Sequence, residues 1–248
     1  MVIDSSNTFT FGEFREWFYY KAFVFSNAST GGYIVVLIHK PLNQISVARK
    51  GDDKWTWLPP DNCYSNCVYK DDLLYAVSGG EIRVFDLSGP IPAAKIIMKS
   101  KIEWWNGSSY ITEAPHGGDL LHTHRSTGDI NYDAEADPKA SVWHTEKIEV
   151  YKIDVAEETV AEINCLNDHV LFLGHNQSLC LHANEYPPLK ANHAYFTDDT
   201  KFSERYKNNC CNIGVLNEGN SDREDLVSPQ HWSSWPTPIW ITPNLVQL

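Results

Sequence analysis

One spacing constrains this chain more than any other. Asp72, Asp119 and Asp168 each sit in a turn that runs directly into a short apolar strand. They are separated by 47 and 49 residues. A near-constant period of this length, with room for about four short strands, is the sequence pattern of β-propeller blades. A β-sandwich of the same size is the competing architecture.

The text between these positions reads as strand and turn. Tyr33–Ile38 is a continuous apolar run, suited to a strand buried on both faces. Ile45–Arg49 alternates and ends at Gly51-Asp52-Asp53. Lys54–Leu58 places Trp55 and Trp57 two residues apart, so on one strand face they are expected to pack between blades. Leu73–Val77 and Glu81–Leu87 flank Gly79-Gly80, a hairpin signal. The same grammar returns at Lys147–Ile153, His169–Gly174, Ser178–Leu181, His193–Phe196 and Asn212–Leu216. Convincing amphipathic helices are absent, and aromatic residues reach 12% of the chain, which favours strands.

Charge and composition exclude several functions. The net charge is −12, so the chain lacks the basic face that nucleic acid or anionic membrane requires. No apolar run approaches the 18 residues of a membrane helix, and Met1–Phe11 does not resemble a secretory signal. Six cysteines in 248 residues, without that signal, are expected to be reduced thiols in the cytoplasm or nucleus.

Catalytic constellations are missing as well. There is no Gly-x-Ser-x-Gly elbow and no glycine-rich phosphate loop. Asp198-Asp199 is read as a turn rather than as half of a hydrolytic carboxylate pair. His122-x-His124, with His116 nearby, could be half of a metal site, but no further ligand spacing completes it. A polar loop edge is the plainer reading of these histidines. Cys63, Cys67, Cys210 and Cys211 lack knuckle spacing and read as small hydrophobes. The chain is therefore expected to be no enzyme and to need no metal or cofactor.

An ordered set of strings goes beyond generic β sequence. It comprises Lys50–Trp57, Asp71–Val77, Glu149–Asp154, Asn167–Gly174, Tyr186–Lys190, Ala194–Asp199 and Trp235–Trp240. In order and spacing the set resembles the plant F-box-associated family of KIB-type β-propellers, from about Phe18 to Leu245. The resemblance implies an all-β propeller over residues 18–248, preceded by an extension over 1–17, with four to five blades' worth of strands. It also implies a protein-interaction role, like the target-recognition part of a ubiquitin ligase subunit. Members usually carry an N-terminal F-box that docks onto the Skp1 adaptor. No Leu-Pro-x-Glu helical pattern precedes Phe18, so no Skp1 binding is expected of this chain. A carbohydrate- or small-ligand-binding propeller, and a truncated member without function, are the alternatives.

Two segments exceed what turning requires. Lys101–Ser109 carries Trp104, Trp105 and Asn106, and adjacent tryptophans cannot both enter one strand-packed core. Ser126–Thr145 carries Asp129, Asp133, Glu135 and Asp137. Aromatic anchors supply contact energy and a negative field steers a basic partner. These seven residues are the candidate partner-binding set, and the expected partner is a protein with a basic patch.

Overall fold

The computed structural model describes residues 10–12, 18–27, 31–59, 63–89, 92–99, 107–129, 143–197, 212–219, 223–225 and 239–240. Among the described residues are seventeen strands and one 3-10 turn, Ala183–Glu185. They form four sheets. The chain divides into two compact units, residues 1–64 and 65–248.

The first unit holds the first sheet, in which β1 (Tyr19–Asn27), β2 (Gly32–His39), β3 (Gln44–Arg49) and β4 (Thr56–Trp57) lie in sequence order. Alternation explains its faces. Phe23, Phe25, Ile34, Val36, Ile38, Ile45 and Val47 point one way and are buried. Val24 and Tyr33 point the other way and are exposed, with Val35 and Leu37 half-buried. The run 33–38 is thus fully buried on one face, not on both.

Trp55 and Trp57 also differ from expectation, at 48% and 59% exposed. The reason is local. Trp55 precedes the strand, and β4 is a two-residue edge strand with no neighbour beyond it.

The second unit holds three sheets. β5 (Asn66–Lys70), β6 (Leu73–Ser78), β7 (Glu81–Asp86) and β8 (Ala93–Lys99) form the second as a meander. Its first two connections are two-residue hairpins with both central residues at positive φ: Asp71 and Asp72 at 51° and 61°, Gly79 and Gly80 at 47° and 96°. Primed turns demand this conformation, and Gly and Asp tolerate it best. The third sheet is another meander of β9 (Gly107–Glu113), β10 (Leu120–Asp129), β11 (Trp143–Asp154) and β12 (Thr159–Ile163).

The fourth sheet departs from this plan. It contains β13 (His169–Leu173), β14 (Leu179–His182), β15 (His193–Phe196), β16 (Gly214–Asn217) and β17 (Arg223–Asp225). Their order is β14-β13-β15-β16-β17, and β13 and β15 run parallel. Asp72, Asp119 and Asp168 therefore mark one architectural position. Each precedes the strand that is second in its sheet, namely β6, β10 and β13.

Two apolar layers join the three sheets. Val77, Ile82, Ile111, Leu120 and Ile153 pack between the second and third. Tyr110, Leu121, Val150, Leu171, Leu173 and Phe196 pack between the third and fourth. Burying each aliphatic side chain contributes about 1.5–3 kcal/mol. The third sheet is thus covered on both faces. This explains why β10 is buried from Leu120 through Arg125 without alternation.

Candidate functional site

Strand register shows where the two long segments attach. β9 begins at Gly107, which lies opposite Ser126 of β10. Three residues further along β10, Asp129 lies opposite Trp143, the first residue of β11. The connections 100–106 and 130–142 therefore leave the third sheet at one end. Both are shorter than the sequence suggests. Gly107–Ser109 belong to β9, and 126–129 and 143–145 extend the β10–β11 ribbon. Trp104, Trp105, Asn106, Asp133, Glu135 and Asp137 lie outside the described residues, as do Asp198 and Asp199. Asp129 is placed by its backbone at the tip of β10.

A third long connection joins them there. Arg125 Nη1 donates to the carbonyl of Thr197, which follows β15, at 2.6 Å. Asn212, just ahead of β16, donates from Nδ2 to Thr145 Oγ1 at 3.1 Å. Its Oδ1 accepts from the Thr145 amide at 3.4 Å. These bonds tie the start of segment 198–211 and its return to the same end of the third sheet. Trp240 is seated nearby. Its Nε1 donates to Leu173 O at 2.8 Å. Asn176 bonds the Trp240 backbone reciprocally, at 2.8 and 3.3 Å. The Trp240 ring meets Phe172 edge-on at 5.1 Å.

Beneath this end lies a buried polar layer that the sequence does not reveal. Arg125 is fully buried, with its guanidinium 5.4 Å from the Phe196 ring. Thr127, Thr145, Thr197 and Asn212 are also buried, as are Ser109 and His124 on the other face of the third sheet. Ser65 Oγ donates to Ser109 O at 2.9 Å, bringing in the second sheet. Such groups are costly to bury unless hydrogen-bonded, and once bonded they fix one arrangement of the strands. The layer is a platform under the connections.

His122 and His124 are strand residues inside this platform, not a loop edge. Burial holds His122 down to about 3, with His124 adding to the effect. Burial likewise lowers His124 to about 4, opposed by Glu149. Both imidazoles are neutral at physiological pH. His116 does not converge on them, because it sits in the turn 114–119 at the far end of β10. Cys67 is buried, as expected of a small hydrophobe, and Cys210 and Cys211 lie outside the described residues. Cys180 is buried too, and burial raises its thiol to about 12. Cys63 is exposed instead.

Gly107 opens β9 tight against the backbone of β10. Its φ is +156°, and a Cβ there would lie 2.2 Å from the Arg125 carbonyl oxygen. No side chain fits against backbone at that range. Gly107→Ala is expected to displace the start of β9 and cost about 1–3 kcal/mol. Urea unfolding measures this, and a variant as stable as the parent refutes it.

The second unit is thus three packed β-sheets whose long connections begin and end beside one buried polar layer. Comparison with known proteins places it. Residues 3–217 match the KIB1-4 beta-propeller domain, and the chain belongs to that family. It is also 24% identical, over 189 residues, to a protein of Arabidopsis thaliana provisionally named an F-box protein. That match takes in 65% of this chain and 43% of the relative, so the chain spans less than half of the relative's length. Among the described residues no helix is long and apolar enough to cross a membrane.

Proposed function

We propose that this chain is a non-enzymatic recognition module that holds a protein target, as the target-binding half of an F-box ubiquitin ligase subunit does. The observation that carries the reading is that the described residues flanking three long connections, Gly107, Asp129, Trp143, Thr197 and Asn212, lie at one end of the third sheet. Propeller strands are constrained by packing, whereas connections can vary without disturbing the core. Residues that choose a partner belong in the connections.

The chemistry of two of these segments suggests the partner. Trp104 and Trp105 offer large contact area for little lost side-chain entropy. Asn106 adds a polar group beside them. Asp129, Asp133, Glu135 and Asp137 add negative charge to a chain that already carries −12. A protein with a basic patch fits both, approached quickly through electrostatic steering and held by the aromatic pair. The module acts in the cytoplasm or nucleus, and the 248-residue chain binds its target without recruiting the Skp1 adaptor.

The test uses the full chain as bait in plant cells beside two variants. One carries Trp104→Ala and Trp105→Ala. The other carries Asp129→Asn, Asp133→Asn, Glu135→Gln and Asp137→Asn. For a direct target recovered by the parent, the aromatic variant is expected to bind at least tenfold more weakly with an unchanged melting temperature. The charge variant is expected to lose the salt dependence of the association rate. Unchanged binding by both variants refutes the reading, and unfolding of the aromatic variant would show the tryptophans to be core.

A further inference from the structure

The opposite end of the second unit carries a cluster of imidazoles that partner recognition does not use. His169 opens β13 and His182 closes β14, and the two are direct partners across that antiparallel pair. Their ring centroids are 4.6 Å apart. They share a face with Leu171 and Cys180, which turn toward the third sheet. From the third sheet, His116 in the turn before β10 reaches to 5.8 Å from the His182 ring. Glu185, in the 3-10 turn after β14, places Oε1 3.4 Å from His116 Nε2. Three imidazoles and a carboxylate thus meet from two sheets.

We propose that His169 and His182, joined by His116 and Glu185, bind a divalent transition-metal ion of the zinc, nickel or copper class. Directly opposed residues on antiparallel strands have Cβ atoms about 4.5–5.5 Å apart. Two imidazoles at that separation can close on one ion with metal–nitrogen bonds of about 2.0–2.1 Å. His169 is already oriented for this. Its Nδ1 lies 3.0 Å from the Leu166 carbonyl, so Nδ1 carries the proton and Nε2 keeps its lone pair. A backbone carbonyl holding the far nitrogen is the usual support of a ligating histidine.

As they stand, no three of these groups surround a single point. The two members from the turns can complete the set. The side chains of His116 and Glu185 are 71% and 51% exposed, so both can rotate with little packing to break. Imidazole nitrogens select transition metals over calcium and magnesium, which demand oxygen cages. The strongly acidic chain raises the local cation concentration.

The experiment titrates zinc chloride, and separately nickel chloride, into the chelator-stripped 248-residue chain by calorimetry. One ion per chain is expected. His169→Ala and His182→Ala should each weaken binding at least tenfold, and His116→Ala by a smaller factor. His193→Ala is the control, since His193 pairs with Val170 on the face of β13 turned the other way. Circular dichroism of each variant checks folding. A second measurement needs no variant: zinc should protect His169 and His182, but not His193, from diethyl pyrocarbonate. Undetectable binding, binding that survives His182→Ala in a folded protein, or modification indifferent to zinc each overturns the proposal.

Discussion

Arg125→Ala is expected to be among the most damaging single substitutions in this chain, lowering stability by about 3–5 kcal/mol. Arg125 is fully buried, stacks over Phe196 and donates to Thr197 O at 2.6 Å. Truncation removes the donor, leaves that carbonyl short of a partner in a dry site, and opens a cavity as long as the side chain. Arg125→Met separates the two effects. It refills much of the volume without restoring the donor, so it should recover part of the loss but not all. Urea midpoints of the three proteins decide the matter. An Arg125→Ala protein within 1 kcal/mol of the parent would mean that the polar layer contributes little.

The second large effect is on pH. In the unfolded chain His122 and His124 titrate near 6.5, and in the folded protein near 3 and 4. Between those values the unfolded state binds more protons. Stability therefore falls on acidification, by about 1.4 kcal/mol per pH unit for each imidazole. Glu218 acts in the opposite sense. Burial raises its carboxyl from 4.5 to about 8, against a weaker pull from Lys147. Its Oε1 has no hydrogen-bond partner among the described residues. The folded state holds that proton where the unfolded state has lost it, so stability also falls as pH rises from 4.5 to 8. The upper arm is shallower, because Glu218 keeps part of its surface in water.

The two arms cross near pH 6.5. Between 6.5 and 4.5 the two histidines outweigh Glu218; below 4.5 Glu218 no longer opposes them, and Asp86 and Glu224, held low by hydrogen bonds to Ser88 and Lys190, add to the acid loss. Denaturant midpoints at pH 5, 6.5 and 8 should show a maximum at the middle value. Glu218→Gln should flatten the alkaline side and steepen the fall from pH 6.5 to 5, where Glu218 opposes the histidines. A profile level from pH 5 to 8 would refute the assignment of both histidines as neutral buried groups.

What the sequence discloses depends on how local the deciding physics is. The hairpins at Asp71-Asp72 and Gly79-Gly80 are legible because a primed turn needs particular residues at particular positions. The period through Asp72, Asp119 and Asp168 is legible because a turn ending in Asp recurs before the corresponding strand of three sheets. Burial decided by a neighbouring sheet is not legible. His122, His124 and Arg125 look like surface residues until a sheet covers each face of β10. Trp55 and Trp57 look like core until β4 proves to be a two-residue edge. The cluster of His116, His169, His182 and Glu185 has no spacing to find, since its members come from two strands and two turns. The polar platform is equally silent, because Thr145 meets Asn212 and Arg125 meets Thr197 only after two sheets have packed.

The strand order of the fourth sheet has a consequence in time. The second sheet can zip from neighbour to neighbour, each of its first two hairpins closing a loop of two residues. β13 cannot meet β15 that way. Between Leu173 and His193 the chain must first run along the other edge of β13 as β14 and then return before the parallel pairing forms. Closing longer loops costs entropy before any contact rewards it, and non-local parallel pairing is the slow kind. The fourth sheet is thus expected to be the slowest of its unit to form. Until it closes, Leu121, Ile148 and Val150 on the third sheet lack the cover of Leu171, Leu173 and Phe196, so this chain is expected to be most prone to aggregate in that interval.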